Sequence, residues 1–349
     1  MQIICNEQHA LHRGRMEMFR GELVPSFEKP ERVELVLAEL RRRGCHALAG
    51  PDAGFDQALL RAIHAPHYLE FLAGAWDAWV ALDPANATRD VLPSYWPAPG
   101  MRRDVMPLSF PARVGLYAFD AGSPLMAGTW EAARHGAACA WTAARRVAAG
   151  ERTAFALTRP PGHHAGADFY GGYCFLNNAA LAAQTLRDAG AARVAVLDVD
   201  YHHGNGTQAI FYARSDVHVA SLHGNPLTDY PYYLGHADER GEGAGLGFNH
   251  NLPLARGTAF EAWRAALREA LAGIAAARAE ALVVSLGVDT FEADPVAGFS
   301  LVAEDFLRAG EEIAAAGLPT VFVFEGGYAV AQLGVNVANV LDGFAQIAA

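Results

Sequence analysis

The hydrophobic residues of this chain follow two patterns, one with helical spacing and one in short unbroken runs. Apolar side chains recur every three or four positions in five segments, which predicts amphipathic helices at residues 28–43, 129–149, 177–189, 260–279 and 303–316. Between them lie apolar runs of strand length: TAFALTR, VAVLDVD, VHVASLHG, ALVVSLGVD and TVFVFEGG. Runs without polar alternation are typical of strands buried on both faces of a parallel sheet. The pattern therefore predicts a single α/β domain of three layers, residues 1–349, with helices on both faces of a mostly parallel sheet.

Residues 83–128 follow neither pattern. This stretch is rich in proline and aromatic residues and includes LPSYWPAPGMRRDVMPLSFP. A connection of this length inside a compact domain is usually either functional or disordered. The aromatic residues Tyr95, Trp96 and Phe110 favour a packed segment. We therefore expect an ordered insertion that serves as a lid or a contact surface.

Composition excludes several classes of protein. The formal net charge is −11, so the chain lacks the excess of positive charge that nucleic-acid binding needs. The four cysteines are scattered without a C-x-x-C pair, which argues against a disulfide framework and a thiolate zinc site. No apolar run approaches the roughly 20 residues of a membrane span, and the opening MQIICNEQHA lacks the features of a secretory signal. We expect a cytoplasmic protein that binds neither nucleic acid nor membranes.

Polar clusters follow the predicted strands at the points where they end. His163 and His164 come after TAFALTR, two further histidines and two aspartates follow VAVL, ALVVSLGVD ends in Asp289, and TVFVFEGG is followed by Tyr328. Ligands of open parallel sheets bind in the crevice outside the carboxyl ends of the strands. We therefore expect the active site at the C-terminal ends of the strands.

The segment VAVLDVDYHHGNG is the strongest candidate for a metal site. Asp198, Asp200 and His202 alternate with apolar residues, so their side chains leave one face of an extended segment. One carboxylate and one imidazole of this set, together with Asp289 from another strand end, suit zinc with an open coordination position, although Fe²⁺, Co²⁺ or Mn²⁺ also accept such ligands. Any one of these residues alone more often caps a helix or lines a solvated loop. Together they would bury carboxylates that need a cation.

Two further features suit catalysis beside a metal. The adjacent imidazoles of His163 and His164 can serve as general base and general acid, with Asp198 and Asn205 as partners that push their pKa values apart. Tyr328 can donate a hydrogen bond to a developing oxyanion. A tyrosine after two glycines is also common in ordinary turns, so this motif alone is weak.

Six motifs, in their order and spacing, resemble those of the arginase-fold deacetylases, the superfamily that includes the zinc-dependent histone deacetylases. They are RPPGHHAG, GGYCFLNN, LDVDYHHGNGTQ, SLHG, SLGVDTFEADP and EGGY, and the resemblance covers nearly the entire chain. Within that superfamily, GELVPSFEKPERVE, the insertion and GTWEAA are most similar to the bacterial acetylpolyamine amidohydrolases. The resemblance implies the arginase/deacetylase fold.

The resemblance also implies a role for each candidate residue. Asp200, His202 and Asp289 match its zinc ligands. His163 and His164 match its tandem catalytic histidines, with Asp198 and Asn205 behind them. Tyr328 matches the tyrosine that polarises the scissile carbonyl.

Further positions match the substrate tunnel and a second cation site. Gly172, Tyr173 and Tyr230 match the walls that hold an extended alkyl chain. Asp198, with the region of Ser221 and Leu222, matches a structural potassium site. The acetylpolyamine branch is typically a homodimer in which the insertion narrows the entrance.

The implied reaction is hydrolysis of an acetamide to acetate and a free amine. The metal and Tyr328 would polarise the carbonyl, and His164 would deprotonate the attacking water. One position departs from the branch: its loop glutamate, which meets the distal cation of the substrate, is replaced here by Gly122. The nearby Asp120 is a possible substitute. The expected substrate is a small acetylated amine such as an acetylpolyamine.

Three alternatives remain at this level. A protein or small-molecule acetyl-lysine deacetylase would need a more open entrance than the insertion suggests. A two-manganese ureohydrolase would need additional bridging carboxylates, and Gly287 stands where one of them would be expected. A non-catalytic amine-binding relative would be expected to lose at least one of the site residues, whereas this chain has them all.

Overall fold

The computed structural model describes residues 1–45 and 47–348. Its strands are β1 Gln2–Cys5, β2 Met16–Phe19, β3 Glu22–Pro25, β4 Leu48–Ala49, β5 Thr153–Leu157, β6 Val194–Asp198, β7 Val217–Gly224, β8 Asn249–Leu254, β9 Ala281–Leu286 and β10 Thr320–Phe324. Eight of them form one sheet in the order β4-β1-β5-β10-β9-β6-β7-β8, and β2 and β3 form a separate antiparallel hairpin. Every pairing in the large sheet is parallel.

Helices cover both faces of this sheet. They are α1 Glu31–Arg42, α2 Pro66–Leu82, α3 Phe110–Tyr117, α4 Thr129–Ala148, α5 Asn178–Asp188, α6 Asn205–Phe211, α7 Phe260–Ala276, α8 Ala303–Ala314 and α9 Leu333–Ala348. Helices α2 to α6 pack on one face, and α1, α7, α8 and α9 pack on the other. Along β6, Val194 and Val196 enter the first core while Ala195 and Leu197 enter the second, as the period of two requires. The predicted three-layer α/β/α class is confirmed.

The predicted helices and strands are present, with ends that differ by no more than three residues. Several elements were missed. Helix α2 carries apolar residues on most of its sides and so lacks a clear stripe, whereas β1 and β4 are only four and two residues long. Such short apolar runs do not distinguish a strand from other buried segments.

The insertion at residues 83–128 is packed against the domain and contains α3, which the sequence pattern did not predict. An antiparallel bridge between Val91 and Leu125 ties its two ends together. The indole Nε1 of Trp96 donates a hydrogen bond of 2.9 Å to the carbonyl of Ala118. Its role as lid or dimer contact stays a prediction.

The sheet order brings the candidate residues to one place. Strands β5, β10, β9 and β6 are direct neighbours, and each is followed by one of the predicted polar clusters. In the part of the chain that the structure describes, no helix is both long enough and apolar enough to cross a membrane.

Candidate active site

Asp200, His202 and Asp289 converge at the ends of β6 and β9. Strand β6 ends at Asp198, so Asp200 and His202 lie in the bend that follows rather than on an extended strand. Nδ1 of His202 lies 2.9 Å from Oδ2 of Asp289 and 3.3 Å from Oδ1 of Asp200. One donor atom from each residue lies within 4.8 Å of the other two. The three residues predicted as metal ligands therefore form one compact donor set.

The electrostatics of this set fit a divalent cation. Both carboxylates are fully buried, at 0% exposure. Burial and the charge of Asp200 raise the pKa of Asp289 to about 7. Burial opposes charge on His202, but hydrogen bonds to Asp200 and Asp289 raise its pKa well above the usual value. A proton on this imidazole is the positive charge between two buried carboxylates, and a metal ion with two carboxylate and one imidazole ligands would replace it.

Backbone groups hold the two carboxylates in position. Gly326 donates its N–H to Oδ2 of Asp200 over 2.8 Å. Tyr201 donates its N–H to Oδ1 of Asp289, also over 2.8 Å. The loop after β10 and the bend after β6 are thus tied to the same donor set.

The tandem histidines lie beside the metal-ligand set and have different partners. Nδ1 of His163 is 2.9 Å from Oδ2 of Asp198, whereas Nδ1 of His164 is 2.6 Å from Oδ1 of Asn205. Burial lowers the pKa of His163, but Asp198 outweighs it and raises the value to about 10. Burial and the charge of His163 hold the pKa of His164 well below its usual value. The pair thus combines an imidazole that keeps its proton with one that is free to accept a proton.

Tyr328 enters the site from the loop after β10. Asp294 fixes this loop, because its Oδ2 accepts the backbone N–H of Tyr328 over 2.7 Å. The phenol ring packs edge-on against Tyr173 at a centroid distance of 5.5 Å. The guanidinium of Arg32 lies 4.8 Å from the centroid of the Tyr328 ring. Burial raises the pKa of Tyr328 well above its usual value despite Arg32, so the phenol keeps the proton that an oxyanion donor needs.

A cavity of about 380 Å³ lies next to the histidine pair and the donor set. His164 and His202 line it together with the predicted tunnel residues Gly172, Tyr173 and Tyr230. Gly172 has φ +55°, and a Cβ there would lie 2.2 Å from the His164 ring, so only glycine fits. Phe119, which sequence analysis missed, stacks on Tyr230 at 6.0 Å and completes an aromatic wall.

Asp120 also lines this cavity, and protein donors surround its carboxylate. Oδ2 accepts hydrogen bonds from the Tyr230 hydroxyl over 2.6 Å and from the Gly172 N–H over 2.8 Å. Oδ1 accepts the Gly122 N–H over 3.1 Å. Asp120 therefore connects two opposite walls of the tunnel.

The residues predicted to bind potassium are brought together. Asp198 and Ser221 are register partners on β6 and β7, and Leu222 follows on β7. Oδ1 of Asp198 also accepts the N–H of Asp200 over 3.1 Å. Asp198 thus lies between the histidine pair and the predicted potassium position.

Buried charged groups that sequence analysis did not identify hold the loops that carry the site residues. Glu28 pairs with Arg159 over 2.7 Å and with Arg32 over 3.0 Å, and all three are at most 2% exposed. Arg32 donates to the carbonyl of Gly327, and Glu325 accepts the backbone N–H of Gly162. These contacts join helix α1 to the loops that carry the histidines and Tyr328. The motif GELVPSFEKPERVE contains Glu28 and Arg32, but only long-range packing reveals their contacts with Arg159 and with the loop after β10.

A second metal of the ureohydrolase type has no room at Gly287. A Cβ at this position would lie 2.0 Å from Oδ2 of Asp200. A bridging carboxylate therefore cannot replace this glycine without displacing a predicted metal ligand.

Comparisons with known proteins show the family and the fold. Residues 26–344 match the family model described as the histone deacetylase domain. The chain is 50% identical to acetylpolyamine amidohydrolase 1 of Pseudomonas aeruginosa over 98% of both chains, and 47% identical to acetylpolyamine amidohydrolase of Mycoplana ramosa over 99% of this chain and 100% of the relative. A crystal structure of acetylpolyamine aminohydrolase from Burkholderia pseudomallei superposes with a TM-score of 0.93 at 38% identity, covering 99% of both chains. The chain therefore belongs to the histone deacetylase family, and the prediction that it is a deacetylase enzyme is confirmed.

Proposed function

We propose that this protein hydrolyses the acetamide bond of small acetylated amines, acetylpolyamines among them, to acetate and a free amine. The observation that carries the proposal is that His202 of the donor set and His164 of the histidine pair line one aromatic-walled cavity. Asp289 lies 2.9 Å from His202, and the His163 and His164 rings lie 4.0 Å apart between centroids. That arrangement suits an extended alkyl chain with an amide at its buried end. The near full-length similarity to acetylpolyamine amidohydrolases supports the same substrate class.

Asp200, His202 and Asp289 would hold the catalytic metal, which we propose to be Zn²⁺, with Fe²⁺, Co²⁺ or Mn²⁺ as alternatives. When bound, such an ion supplies Lewis-acid polarisation of the amide carbonyl. A structural K⁺ would lie at Asp198, Ser221 and Leu222. It would balance negative charge behind the histidine pair.

The protein residues account for the proton transfers. His164 accepts a proton from the attacking water, because its pKa is lowered and Asn205 orients its ring. The water oxygen bonds to the carbonyl carbon while the Tyr328 hydroxyl donates a hydrogen bond to the carbonyl oxygen. His163 is held protonated by Asp198 and gives a proton to the departing nitrogen as the C–N bond breaks. Gly172, Tyr173, Tyr230 and Asp120 form the tunnel walls.

We further propose a cytoplasmic homodimer that binds neither nucleic acid nor membranes. The insertion supports the dimer, since Tyr95, Met101 and Leu108 are 66%, 63% and 99% exposed in its irregular part. Isolated exposed apolar residues are common, but several in one segment suit a contact surface. Analytical ultracentrifugation of the wild-type protein and a triple Tyr95→Ser, Met101→Ser, Leu108→Ser variant tests this assignment.

The test of the function is a comparison of kcat/KM for N-acetylputrescine, N8-acetylspermidine and an acetyl-lysine peptide with zinc-loaded enzyme. We expect at least one small amine to exceed the peptide by about tenfold, which corresponds to about 1.4 kcal/mol in the transition state. A His163→Ala, His164→Ala double variant is the control for contaminating hydrolase. A peptide preference would overturn the assignment to small amines.

A further inference from the structure

The outer rim of the active-site cavity carries an unusual arginine. Arg20 lies in the tight turn between β2 and β3 and lines the cavity with Met18 and Phe19. Its guanidinium lies 4.9 Å from the centroid of the Phe19 ring. Arg20 is exposed and forms no ion pair with any residue in the described ranges. A positive charge without a partner therefore stands at the entrance.

The backbone at this arginine is strained. In the described chain, four non-glycine residues have left-handed φ angles, and three of them, Arg20, Tyr173 and Tyr232, line this cavity, with φ 52°, 67° and 66°. The fourth, Arg278 with φ 57°, follows helix α7. Such conformations cost of order 1–3 kcal/mol and are found preferentially at functional sites. At Arg20 the left-handed φ is the one that a two-residue hairpin turn with Gly21 requires, and it fixes the direction in which the Arg20 side chain leaves the turn.

The carboxylates of the same cavity are engaged within the protein. Asp120 accepts the tunnel-wall hydrogen bonds described above, and Asp229 pairs with Arg256. Glu17 accepts the Tyr173 hydroxyl over 2.7 Å and the Phe27 N–H over 3.1 Å. Asp229 is therefore neutralised by an arginine, whereas neutral N–H and O–H donors hold Asp120 and Glu17 in fixed positions in the tunnel wall.

Arg20 and Gly122 line the same cavity, and strand β2, which leads into the turn at Arg20, lies next to the segment that contains Gly122. The N–H of Met18 donates to the carbonyl of Ala121 over 3.0 Å, which places strand β2 next to Gly122. The resemblance places a glutamate of the acetylpolyamine branch at this position. In this chain the rim combines a free guanidinium with a residue that has no side chain.

We propose that Arg20 is a specificity-determining residue that disfavours a second positive charge at the tunnel entrance. The inference rests on the proposed function and narrows its substrate class: the enzyme favours short acetylated diamines over acetylated triamines. N-acetylputrescine and N8-acetylspermidine share an acetamidobutyl group that ends in a cationic nitrogen. The triamine adds an aminopropyl arm with one more charge, and Arg20 lines the cavity that such an arm would occupy.

The experiment measures the ratio of kcat/KM for N8-acetylspermidine to kcat/KM for N-acetylputrescine in the zinc-loaded wild type and in Arg20→Lys, Arg20→Gln and Arg20→Glu. We expect the ratio to stay nearly constant in Arg20→Lys and to rise about fivefold for each unit of positive charge removed, as suits one charge pair near a surface. Raising the salt from about 0.05 M to about 0.5 M should shrink these differences, which a purely steric role would not show.

Two further variants provide a control outside the cavity and an independent change of charge at its rim. Arg278→Glu is the matched control, because it changes the same charge on an exposed arginine with the same left-handed backbone outside the cavity, and its ratio should equal that of the wild type. Gly122→Glu should raise the ratio about as much as Arg20→Gln, because each of these substitutions changes the charge at the rim by one unit. It should fold, since a Cβ at Gly122 would approach no atom closer than 3.6 Å.

A ratio that does not change along the Arg20 series, or that changes equally in Arg278→Glu, would overturn the assignment of Arg20. Failure of the proposed function gives a different result, in which the wild type hydrolyses neither acetylated amine. In that case the hydrolysis of a fluorogenic acetyl-lysine substrate is measured for the same variants. Free spermidine and free putrescine are then compared as inhibitors of this reaction. A constant ratio of their inhibition constants would then overturn the role of Arg20 as well.

Discussion

The imidazole of His164 is hydrogen-bonded to the neutral side chain of Asn205, with Nδ1 and Oδ1 only 2.6 Å apart. The adjacent His163 is bonded to a carboxylate instead. Burial and the charge of His163, whose ring centroid lies 4.0 Å away, hold the pKa of His164 well below its usual value, whereas at His163 the charge of Asp198 outweighs burial and raises the pKa to about 10. These surroundings fit the proposed roles of His164 as base and His163 as acid.

Replacing Asn205 by aspartate should make the two histidines alike. The new carboxylate would raise the pKa of His164, so the acidic limb of the pH profile of kcat/KM should move upward by about 1 unit or more. Asn205→Ala is the control: it should lower kcat about 10- to 100-fold without that displacement, because it removes only orientation. An unchanged acidic limb in Asn205→Asp would exclude His164 as the base.

Tyr328→Phe should retain metal, fold and substrate affinity but lose about 10²- to 10³-fold in kcat, the usual effect of deleting one oxyanion donor. KM and metal content are measured together with kcat. Unchanged values of both would show that the loss of turnover does not come from damage to the site. Tyr170→Phe is a matched control, since Tyr170 is also a buried tyrosine and its hydroxyl has no hydrogen-bond partner among residues 1–45 and 47–348. Near-normal turnover in Tyr328→Phe would remove this phenol from the mechanism.

Asp289→Asn should bind the metal at least about tenfold more weakly, because a neutral amide replaces a charged ligand. Metal content after dialysis measures this loss. In the presence of a chelator the variant should unfold at a temperature about 2 °C or more above that of the wild type, since it removes repulsion between two buried carboxylates. Asp77→Asn, at an exposed position on α2, should alter neither quantity. Wild-type metal content in Asp289→Asn would refute the ligand assignment.

Glu17 should make stability depend on pH. Burial raises its pKa from 4.5 to about 7 despite the hydrogen bond from Tyr173, so the folded state binds a proton more tightly than the unfolded state. Below about pH 4.5 the carboxyl group of Glu17 is protonated in both states and its full contribution to the free energy of unfolding is present. This contribution decreases as the pH rises from about 4.5 to about 7 and stays low at higher pH. Glu17→Gln should remove this pH-dependent contribution to the free energy of unfolding, because the amide does not titrate.

The measurement for Glu17 is the melting temperature of both proteins between about pH 5 and pH 8. The difference between Glu17→Gln and the wild type should increase in favour of the variant as pH rises to about 7 and then remain constant. A difference that is independent of pH would mean that the carboxyl group titrates at an ordinary value.

The sequence by itself determined the fold class and which residues gather at the candidate site. Apolar runs without alternation require burial on both faces, and polar residues after such runs must gather at one edge of a parallel sheet. Asp200, His202, Asp289 and the two histidines were therefore predictable, as their convergence after β5, β6 and β9 shows. Their order along the chain also carried the family resemblance.

Only the tertiary structure decided how these residues are supported and what the cavity entrance presents. The pairing of Glu28 with Arg159 joins residues 131 positions apart, and no local pattern encodes such a contact. The bond from Tyr230 to Asp120 likewise spans 110 positions. Arg20 has an ordinary sequence context, and only the packing of strand β2 against the segment at Ala121 brings its turn to the cavity that Gly122 also lines. Local sequence patterns specify which side chains are buried or exposed, whereas the charge balance of a cavity depends on which distant segments share it.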